Sequence, residues 1–321
     1  MSSFWNDFPG IPNALEKVTG IIQNSVTSQN SIIRKGLTDL FDGGGKLLRP
    51  GLLLITARFG KLQDKHYNLA AALEMLHMAT LIHDDVIDDS PLRRGLPALH
   101  TQYGKKDAVL IGDFLLSRCF LLTAEYTTPK NALNLARVIS IICTMEIEQN
   151  SDRFKNNTSL RSYLRKITGK SALLFSIASF VGAYEAKVNR ELCEKFRRIG
   201  YNIGIAFQII DDILDYSGNS DLMRKSLGND INAGLITMPV LCALRLDTSG
   251  ILNKIFSRDT FSAEDARVIF SQVRNCGAVE TAREQAGKYT NRALKDIFAL
   301  PSGEGRDMLE NLTRRLLIRQ E

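Results

Sequence analysis

The chain has 321 residues, of which 44% are apolar and 24% charged, and only 8 are proline. This composition is that of a globular protein with a large core, and the scarcity of proline favours helix. The net charge of +6 does not indicate a nucleic-acid partner, because no run of five basic residues occurs and aromatic residues, at 7%, are too few for a base-stacking surface.

The five cysteines stand at wide, irregular spacings without a C-x-x-C pair. This pattern indicates buried thiols in a reducing compartment. The first ten residues lack a basic segment followed by an apolar run, so they predict no signal peptide. No apolar stretch of about 20 residues predicts a membrane span. We therefore expect a cytoplasmic protein without a transmembrane segment.

Apolar residues at three- and four-residue spacing predict helices along most of the chain. The predicted helical segments, in chain order, are 65–90, 107–124, 131–150, 160–184, 190–216 and 231–247. Alternating β-branched runs between tight turns are missing, so no sheet is expected. Residues 203–214 are apolar nearly all round, as in a helix at the centre of a large bundle. The polar breaks are too short for domain linkers, so the sequence predicts one all-α domain over residues 1–321.

An acidic motif, D-D-x-x-D, occurs twice inside apolar helical segments. Its aspartates are Asp84, Asp85 and Asp88, and then Asp211, Asp212 and Asp215. At about 100° per residue, each trio covers one arc of one helix face. Such like charges repel, and no lysine or arginine stands three or four residues from any of them. A single copy would often be a solvated helix face, but two copies predict bound hard cations such as Mg²⁺.

Basic residues stand near both acidic motifs. Three glycines precede Lys46 and Arg49, while Arg93 and Arg94 follow the first motif and Lys225 follows the second. Guanidinium and ammonium groups are suited to diphosphate recognition. Taken singly, each of these residues would more often be plain surface.

Two loop patterns complete the survey of motifs. Neither the glycine-rich segment 43–50 nor the segment ending at 170–171 matches a P-loop, so ATP binding through such a loop is not expected. Residues 217–234 form the most loop-like break and directly follow the second acidic motif. This position predicts a mobile lid.

Four segments, GGGKLLRP, EMLHMATLIHDDVIDDSPLRRG, GKSALLF and FQIIDDILDYSG, occur in this order between about residues 40 and 240. Together they resemble the trans-isoprenyl (polyprenyl) diphosphate synthase family. The resemblance implies a single large helical bundle around a central apolar cavity, and a homodimer. It also implies a Mg²⁺-dependent prenyltransferase that condenses isopentenyl diphosphate with an allylic diphosphate, farnesyl or geranylgeranyl, to a long all-trans product.

The resemblance also implies roles for individual residues. All six motif aspartates would hold Mg²⁺, about three ions per active site, that bridges the allylic diphosphate. The same diphosphate would be contacted by Arg93, Lys170 and Lys225.

Isopentenyl diphosphate would be held by Lys46, Arg49, His77 and Arg94, and Gln208 and Ser171 would lie beside the reacting allylic carbons. A histidine on an apolar helix is more often a core residue, so the role of His77 rests on the resemblance. Two positions depart from the family pattern. Leu235 stands where the family often has a lysine, and Met145 stands where it usually has a glycine.

Product length has its own candidates, Thr80 and Ala79. One helical turn is about 5.4 Å, roughly one isoprene unit, so bulk one turn before Asp84 would stop growth early. Thr80 holds that position, and the role of Ala79 rests on the resemblance, since family members that stop at farnesyl or geranylgeranyl length commonly carry an aromatic residue at one of the two. These small residues predict a longer product, although they would also suit close helix packing.

Four alternatives remain open: a short-chain synthase, a class I terpene cyclase, a subunit of a heteromeric synthase, and a helical nucleic-acid-binding protein. A cyclase would have no use for Lys46, Arg49 and Arg94 or for a second full acidic motif. A non-catalytic subunit would be expected to lose acidic ligands, and this chain has all six.

Overall fold

Helices dominate the structure, a computed structural model that describes residues 3–42, 44–93, 95–155, 158–217 and 228–318. The α-helices are α1 Ile11–Ser25, α2 Ser31–Asp42, α3 Leu48–Ala57, α4 Asp64–Ile87, α5 Leu99–Tyr103, α6 Lys105–Tyr126, α7 Pro129–Ser151, α8 Leu160–Ile167, α9 Leu173–Glu185, α10 Arg190–Ser217, α11 Asn229–Asn232, α12 Met238–Leu246, α13 Ile251–Phe256, α14 Ala263–Asn275, α15 Ala278–Phe298 and α16 Glu304–Leu317. The predicted all-α class is confirmed.

Three short elements accompany these helices. A 3-10 helix, Ser3–Trp5, precedes α1, and a π-helical turn, Thr168–Ala172, joins α8 to α9. Strands β1, Leu92–Arg93, and β2, Leu96–Pro97, form a small antiparallel hairpin after α4. This hairpin was not predicted, because two-residue strands carry no periodic signal.

The chain divides into two compact units, each made of two separate stretches. Unit 1 comprises Met1–Ala136 and Ile177–Phe196, and unit 2 comprises Arg137–Ser176 and Arg197–Glu321. Since two such units can belong to one domain, the single-domain prediction stays a prediction.

Unit 1 is built around α4, which packs against α1, α3 and α6. Buried residues such as Leu73, Met75 and Ile82 lie on different sides of α4, as expected for a central helix. A side chain at Gly112 of α6 would overlap the imidazole of His83 on α4. Glycine at that position therefore lets α6 approach the helix that carries the first acidic motif.

Unit 2 has a core of apolar side chains from α10, α12, α14 and α15, among them Ile209, Val240, Ile269 and Ala282, all fully buried. The burial of Ile209 shows which face of α10 packs into this core, because an amphipathic helix turns its apolar stripe inward.

The predicted helix 231–247 is wrong in its continuity, because the structure has two helices there. Gly234 adopts a left-handed conformation, with φ 80°. This conformation ends a helix and is easy only for glycine. Pro239 then lies in the first turn of α12, where its missing N–H is harmless.

One helical stretch, Leu160–Glu185, is long and apolar enough to cross a membrane by length and composition. The sequence had predicted no such stretch. Within the stretch, 61% of its most apolar window is buried inside the protein. Core helices pass the same test, so this stretch is weak support for a membrane span.

Candidate active site

The glycine-rich turn before α3 places two cations at a helix N-terminus in unit 1. Lys46 lies in the turn and Arg49 is buried in the first turn of α3, at 6% exposure. The amide groups and dipole at a helix N-terminus favour anions. Lys46 and Arg49 therefore stand where a diphosphate would be attracted.

One face of α4 carries most of the other predicted residues of unit 1. His77, Thr80, Asp84 and Asp88 recur at spacings of three or four, which places them along one side of the helix. The Thr80 hydroxyl donates to the carbonyl of His77 at 2.8 Å, and all four residues are partly buried. The predicted arc of Asp84 and Asp88 is therefore present, with Thr80 one turn below it.

Asp85 of the same motif is buried and forms an ion pair within the chain. The guanidinium of Arg93 donates through Nε to Oδ2 at 3.0 Å and through a second nitrogen to Oδ1. Arg93 reaches Asp85 because the β1–β2 hairpin folds back, with Gly95 at φ 78°. The prediction that no basic side chain offsets the repulsion within the motif is therefore wrong for Asp85. Only neighbours along the helix had been considered, and Arg93 lies beyond them.

The π-helical turn in unit 2 separates the predicted residues Lys170 and Ser171. Lys170 is exposed, whereas Ser171 is buried and donates to Oε1 of Gln208 at 2.5 Å. π turns often mark functional positions in helices. A side chain at Gly169 would overlap Met145, so the departing residue Met145 packs directly on this turn.

Asp212 lies at the centre of a buried polar network in unit 2. It accepts a hydrogen bond from the Tyr163 hydroxyl at 2.6 Å and from Nε2 of Gln208 at 3.0 Å. Burial, and then the charge of Asp230, raise the pKa of Asp212 to about 7. Both hydrogen-bond donors are neutral, so this carboxylate holds its place at an electrostatic cost.

Asp215 is held by backbone groups at the start of α11. The amides of Asn229 and Asp230 donate to its carboxylate at 3.0 and 3.1 Å. Burial and the charge of Asp230 raise the pKa of Asp215 to about 6. Asp230, which no motif marked, is therefore a fourth acid at this motif.

These carboxylates suit a divalent cation, because a positive charge would relieve both their burial and their repulsion. Among the described residues, no three acidic, histidine or cysteine side chains form a ready-made metal cage. Mg²⁺ does not require one, since it keeps several waters and is commonly bound by one or two carboxylates plus substrate phosphates. The residues present therefore fit a Mg²⁺ ion that is shared with a diphosphate.

Unit 1 contains a cavity of about 740 Å³ between α1, α2, α4 and the hairpin. From α4 it is lined by Glu74, Met78, Leu81, Ile82 and Asp85, together with apolar and charged residues of the other elements. Ala79 is buried and, like Thr80, does not line this cavity. The predicted roles of Ala79 and Thr80 in product length therefore stay predictions.

Unit 2 contains a much smaller cavity of about 30 Å³ beside Asp212, Asp230 and Lys170. It is large enough for a water molecule and is lined by polar groups. Leu235 lines it too. The second departing residue therefore lies near Asp212 and Asp230.

Several predicted positions lie outside the described residues: Arg94, Lys225 and residues 218–227 of the predicted lid. Sequence reasoning also missed Tyr163 and Asp230. Tyr163 stands 49 residues from Asp212 and has no motif around it, so no local signal could have found it. Asp230 follows the loop-like break, where charge alone could have marked it.

Three comparisons relate the chain to known proteins. Residues 30–273 match the family described as polyprenyl synthetase. Component 2 of heptaprenyl diphosphate synthase from Geobacillus stearothermophilus is 35% identical, over 91% of each chain.

Solved structures agree in fold with this relationship. Heptaprenyl diphosphate synthase from Staphylococcus aureus superposes with a TM-score of 0.92 at 31% identity, covering 97% of this chain and 99% of the other. A polyprenyl synthase from Caulobacter crescentus, complexed with calcium and isoprenyl diphosphate, gives 0.89 at 34% identity, covering 97% and 96%. These are all-helical enzymes of prenyl-chain elongation. The chain belongs to the polyprenyl synthetase family of trans-prenyltransferases.

Proposed function

We propose that the protein condenses isopentenyl diphosphate with an allylic diphosphate, farnesyl or geranylgeranyl, to a long-chain all-trans polyprenyl diphosphate. The observation that carries this proposal is the acidic motif in each unit, built into an apolar helix, with Lys46 and Arg49 supplying cations for a separate diphosphate. The relatives' names support the long chain, since they include heptaprenyl diphosphate synthases.

Each group in the proposed site has a chemical task. The motif aspartates would hold Mg²⁺, which would supply positive charge to stabilise the departing diphosphate. Lys170 and Arg93 add positive charge to that diphosphate, and Lys46 and Arg49 hold isopentenyl diphosphate. Gln208, fixed by its contact with Ser171, places its amide beside the allylic carbons.

The bond changes follow from this arrangement. The allylic C–O bond breaks, and the double bond of isopentenyl diphosphate attacks the resulting carbocation, forming one C–C bond. A proton then leaves to the released diphosphate, which restores a double bond. Apolar helices keep water from the cation. The product is an allylic diphosphate one unit longer.

A direct assay tests this function. The purified chain, incubated with isopentenyl and farnesyl diphosphates and Mg²⁺, should give prenyl diphosphates longer than geranylgeranyl, and excess EDTA should stop the reaction. A terpene cyclase would instead release a hydrocarbon without isopentenyl diphosphate. No elongation under any of these conditions would overturn the proposal for the isolated chain.

Product length has a separate test. Thr80→Phe or Ala79→Phe should shorten the product while leaving the first condensation intact, because the aromatic ring would fill the path of the tail. Valine at either position is the matched control, since it adds little length. The same long product from both phenylalanine variants would contradict the assignment.

A second candidate is that the chain acts as one subunit of a heteromeric synthase. It is favoured by the matches to heptaprenyl synthase component 2 from two organisms. The first proposal has the chain as a homodimer, active alone. Light scattering combined with the assay separates the two, because a heteromeric subunit would be inactive until its partner is added.

A further inference from the structure

An aromatic pair at the N-terminus, Phe4 and Trp5, contacts the cationic turn before α3. Trp5 is the single tryptophan of the chain and is 1% exposed. Its indole Nε1 donates a hydrogen bond to the carbonyl oxygen of Lys46. The ring of Phe4 lies 6.0 Å from the ammonium of Lys46 and 5.0 Å, edge-on, from Trp5. The pair therefore touches both the backbone and the charge of Lys46.

The backbone at this turn needs outside support. Leu47 adopts a left-handed conformation, with φ 49° and ψ 43°, although it is not glycine. Residues other than glycine and asparagine hold this conformation only where their surroundings impose it. The Trp5 hydrogen bond acts on the peptide group that joins Lys46 to Leu47, so it holds this turn directly.

Trp5 also packs on the helix that carries Arg49. A side chain at Gly51 would overlap the indole ring, with its Cβ about 2.3 Å from the nearest ring atom. Trp5 thus lies against α3 at Gly51, two residues after Arg49. One side chain touches the turn that bears Lys46 and the helix that bears Arg49.

We propose that Trp5, assisted by Phe4, is a positioning residue for the diphosphate of isopentenyl diphosphate. Trp5 contacts both the Lys46 carbonyl and α3. These two contacts keep the Lys46 ammonium and the Arg49 guanidinium at the spacing that a diphosphate requires. This inference rests on the proposed function, because it assumes that Lys46 and Arg49 bind that substrate.

Steady-state kinetics of Trp5→Phe test the inference. This variant keeps an apolar ring but lacks the N–H group. We expect the KM for isopentenyl diphosphate to rise about 3- to 10-fold, the effect of one lost hydrogen bond. The KM for the allylic substrate and kcat should stay within about twofold. Phe4→Leu should move the same KM less. Equal changes in both KM values, or none, would overturn the proposal.

Phe196→Leu is the matched control for lost packing. Phe196 is fully buried in unit 1 and contacts Phe59 edge-on at 4.8 Å, much as Trp5 contacts Phe8 at 4.9 Å. Its substitution should lower Tm without changing the ratio of the two KM values. If it changes that ratio as Trp5→Phe does, the effect belongs to general destabilisation and the proposal fails.

A binding measurement separates this inference from the proposed function. Inorganic diphosphate, titrated into the wild-type protein, should change the emission of Trp5 saturably, and Lys46→Ala should weaken that response about tenfold. Calorimetry should show weaker diphosphate binding by Trp5→Phe. Neither result needs turnover, so a wild-type protein that forms no product would refute the enzyme proposal alone. Unchanged emission and equal affinities would refute the positioning role alone.

Discussion

The two acidic motifs have the same sequence pattern but different surroundings. In unit 1, Asp85 forms a bidentate ion pair with Arg93. In unit 2, Asp212 at the same motif position accepts hydrogen bonds from the neutral groups of Tyr163 and Gln208. Burial and the charge of Asp230 raise the pKa of Asp212 to about 7, although these two hydrogen bonds act to lower it. The chain thus pairs Asp85 with a cationic side chain, whereas the two hydrogen bonds to Asp212 come from neutral groups.

Glu185 shows what a buried carboxylate with a structural task looks like in the same protein. It is 4% exposed and accepts hydrogen bonds from Lys65 and Thr127 at 2.6 Å and from Asn131 at 2.9 Å. Burial alone would raise its pKa, but these donors bring it below the ordinary value. This fold can therefore hold a fully satisfied buried acid, whereas burial and the charge of Asp230 raise the pKa of Asp212 and of Asp215.

The largest expected effect is the loss of turnover on removing one carboxylate from either motif. Asp84→Ala and Asp211→Ala should each lower kcat by about 100-fold or more, as for other groups that stabilise developing charge. Tm should change little, because both residues are only partly buried. Asp89→Asn, just outside the first motif, should stay near wild type. Near-normal product formation by either alanine variant would contradict the proposal that the motif aspartates bind Mg²⁺.

Arg93→Gln tests the ion pair of unit 1. It leaves Asp85 buried without its guanidinium and should lower the free energy of unfolding by about 1.5–3 kcal/mol. Urea denaturation measures the loss, and adding Asp85→Asn should recover most of it, because the uncompensated charge is gone. If Arg93→Gln alone is as stable as the wild type, the ion pair contributes nothing to the free energy of unfolding.

Tyr163→Phe should have a smaller effect, since it removes one neutral donor from Asp212. The expected loss is about 0.5–1.5 kcal/mol in unfolding free energy, together with lower activity. Tyr103→Phe is the matched control, because Tyr103 donates to Asp39 at 2.7 Å, outside both motifs. If the two variants lose the same activity, Tyr163 has no special relation to the site.

A pH dependence of stability is also expected in the absence of divalent cations. With folded-state pKa values of about 7 for Asp212 and about 6 for Asp215, against an ordinary 3.8, the folded state holds protons that the unfolded state releases between about pH 4 and 7. Raising the pH across this window should therefore lower the free energy of unfolding. Glu185, with its lowered pKa, loses its contribution only at more acidic pH.

Thermal unfolding between pH 5 and 7.5 measures this slope. Mg²⁺ should restore stability at the upper end, and Asp212→Asn should flatten the curve. The raised pKa values of Asp212 and Asp215 would be contradicted if Tm rises between pH 5 and 7.5. They would also be contradicted if the slope of Tm against pH is the same in Asp212→Asn as in the wild type.

Much of the fold and part of the site could be predicted from the sequence, because those features depend on neighbours along one helix. Helices α4, α6, α7 and α10 were predicted from apolar spacing, and the alignment of Thr80 with Asp84 and Asp88 follows from the helical repeat. The same apolar spacing led to the wrong prediction of one continuous helix over 231–247. Its apolar pattern continues through Gly234, and only the left-handed backbone there shows the break.

Partners that are distant along the chain could not be predicted in this way. Arg93 reaches Asp85 through a hairpin of two-residue strands, Tyr163 reaches Asp212 across 49 positions, and Trp5 reaches Lys46 across 41. No pattern within one helix encodes such contacts, because packing between elements sets them. The sequence alone thus indicates the candidate residues for binding metal and diphosphate, and the packing between elements determines which of their charges are paired within the protein.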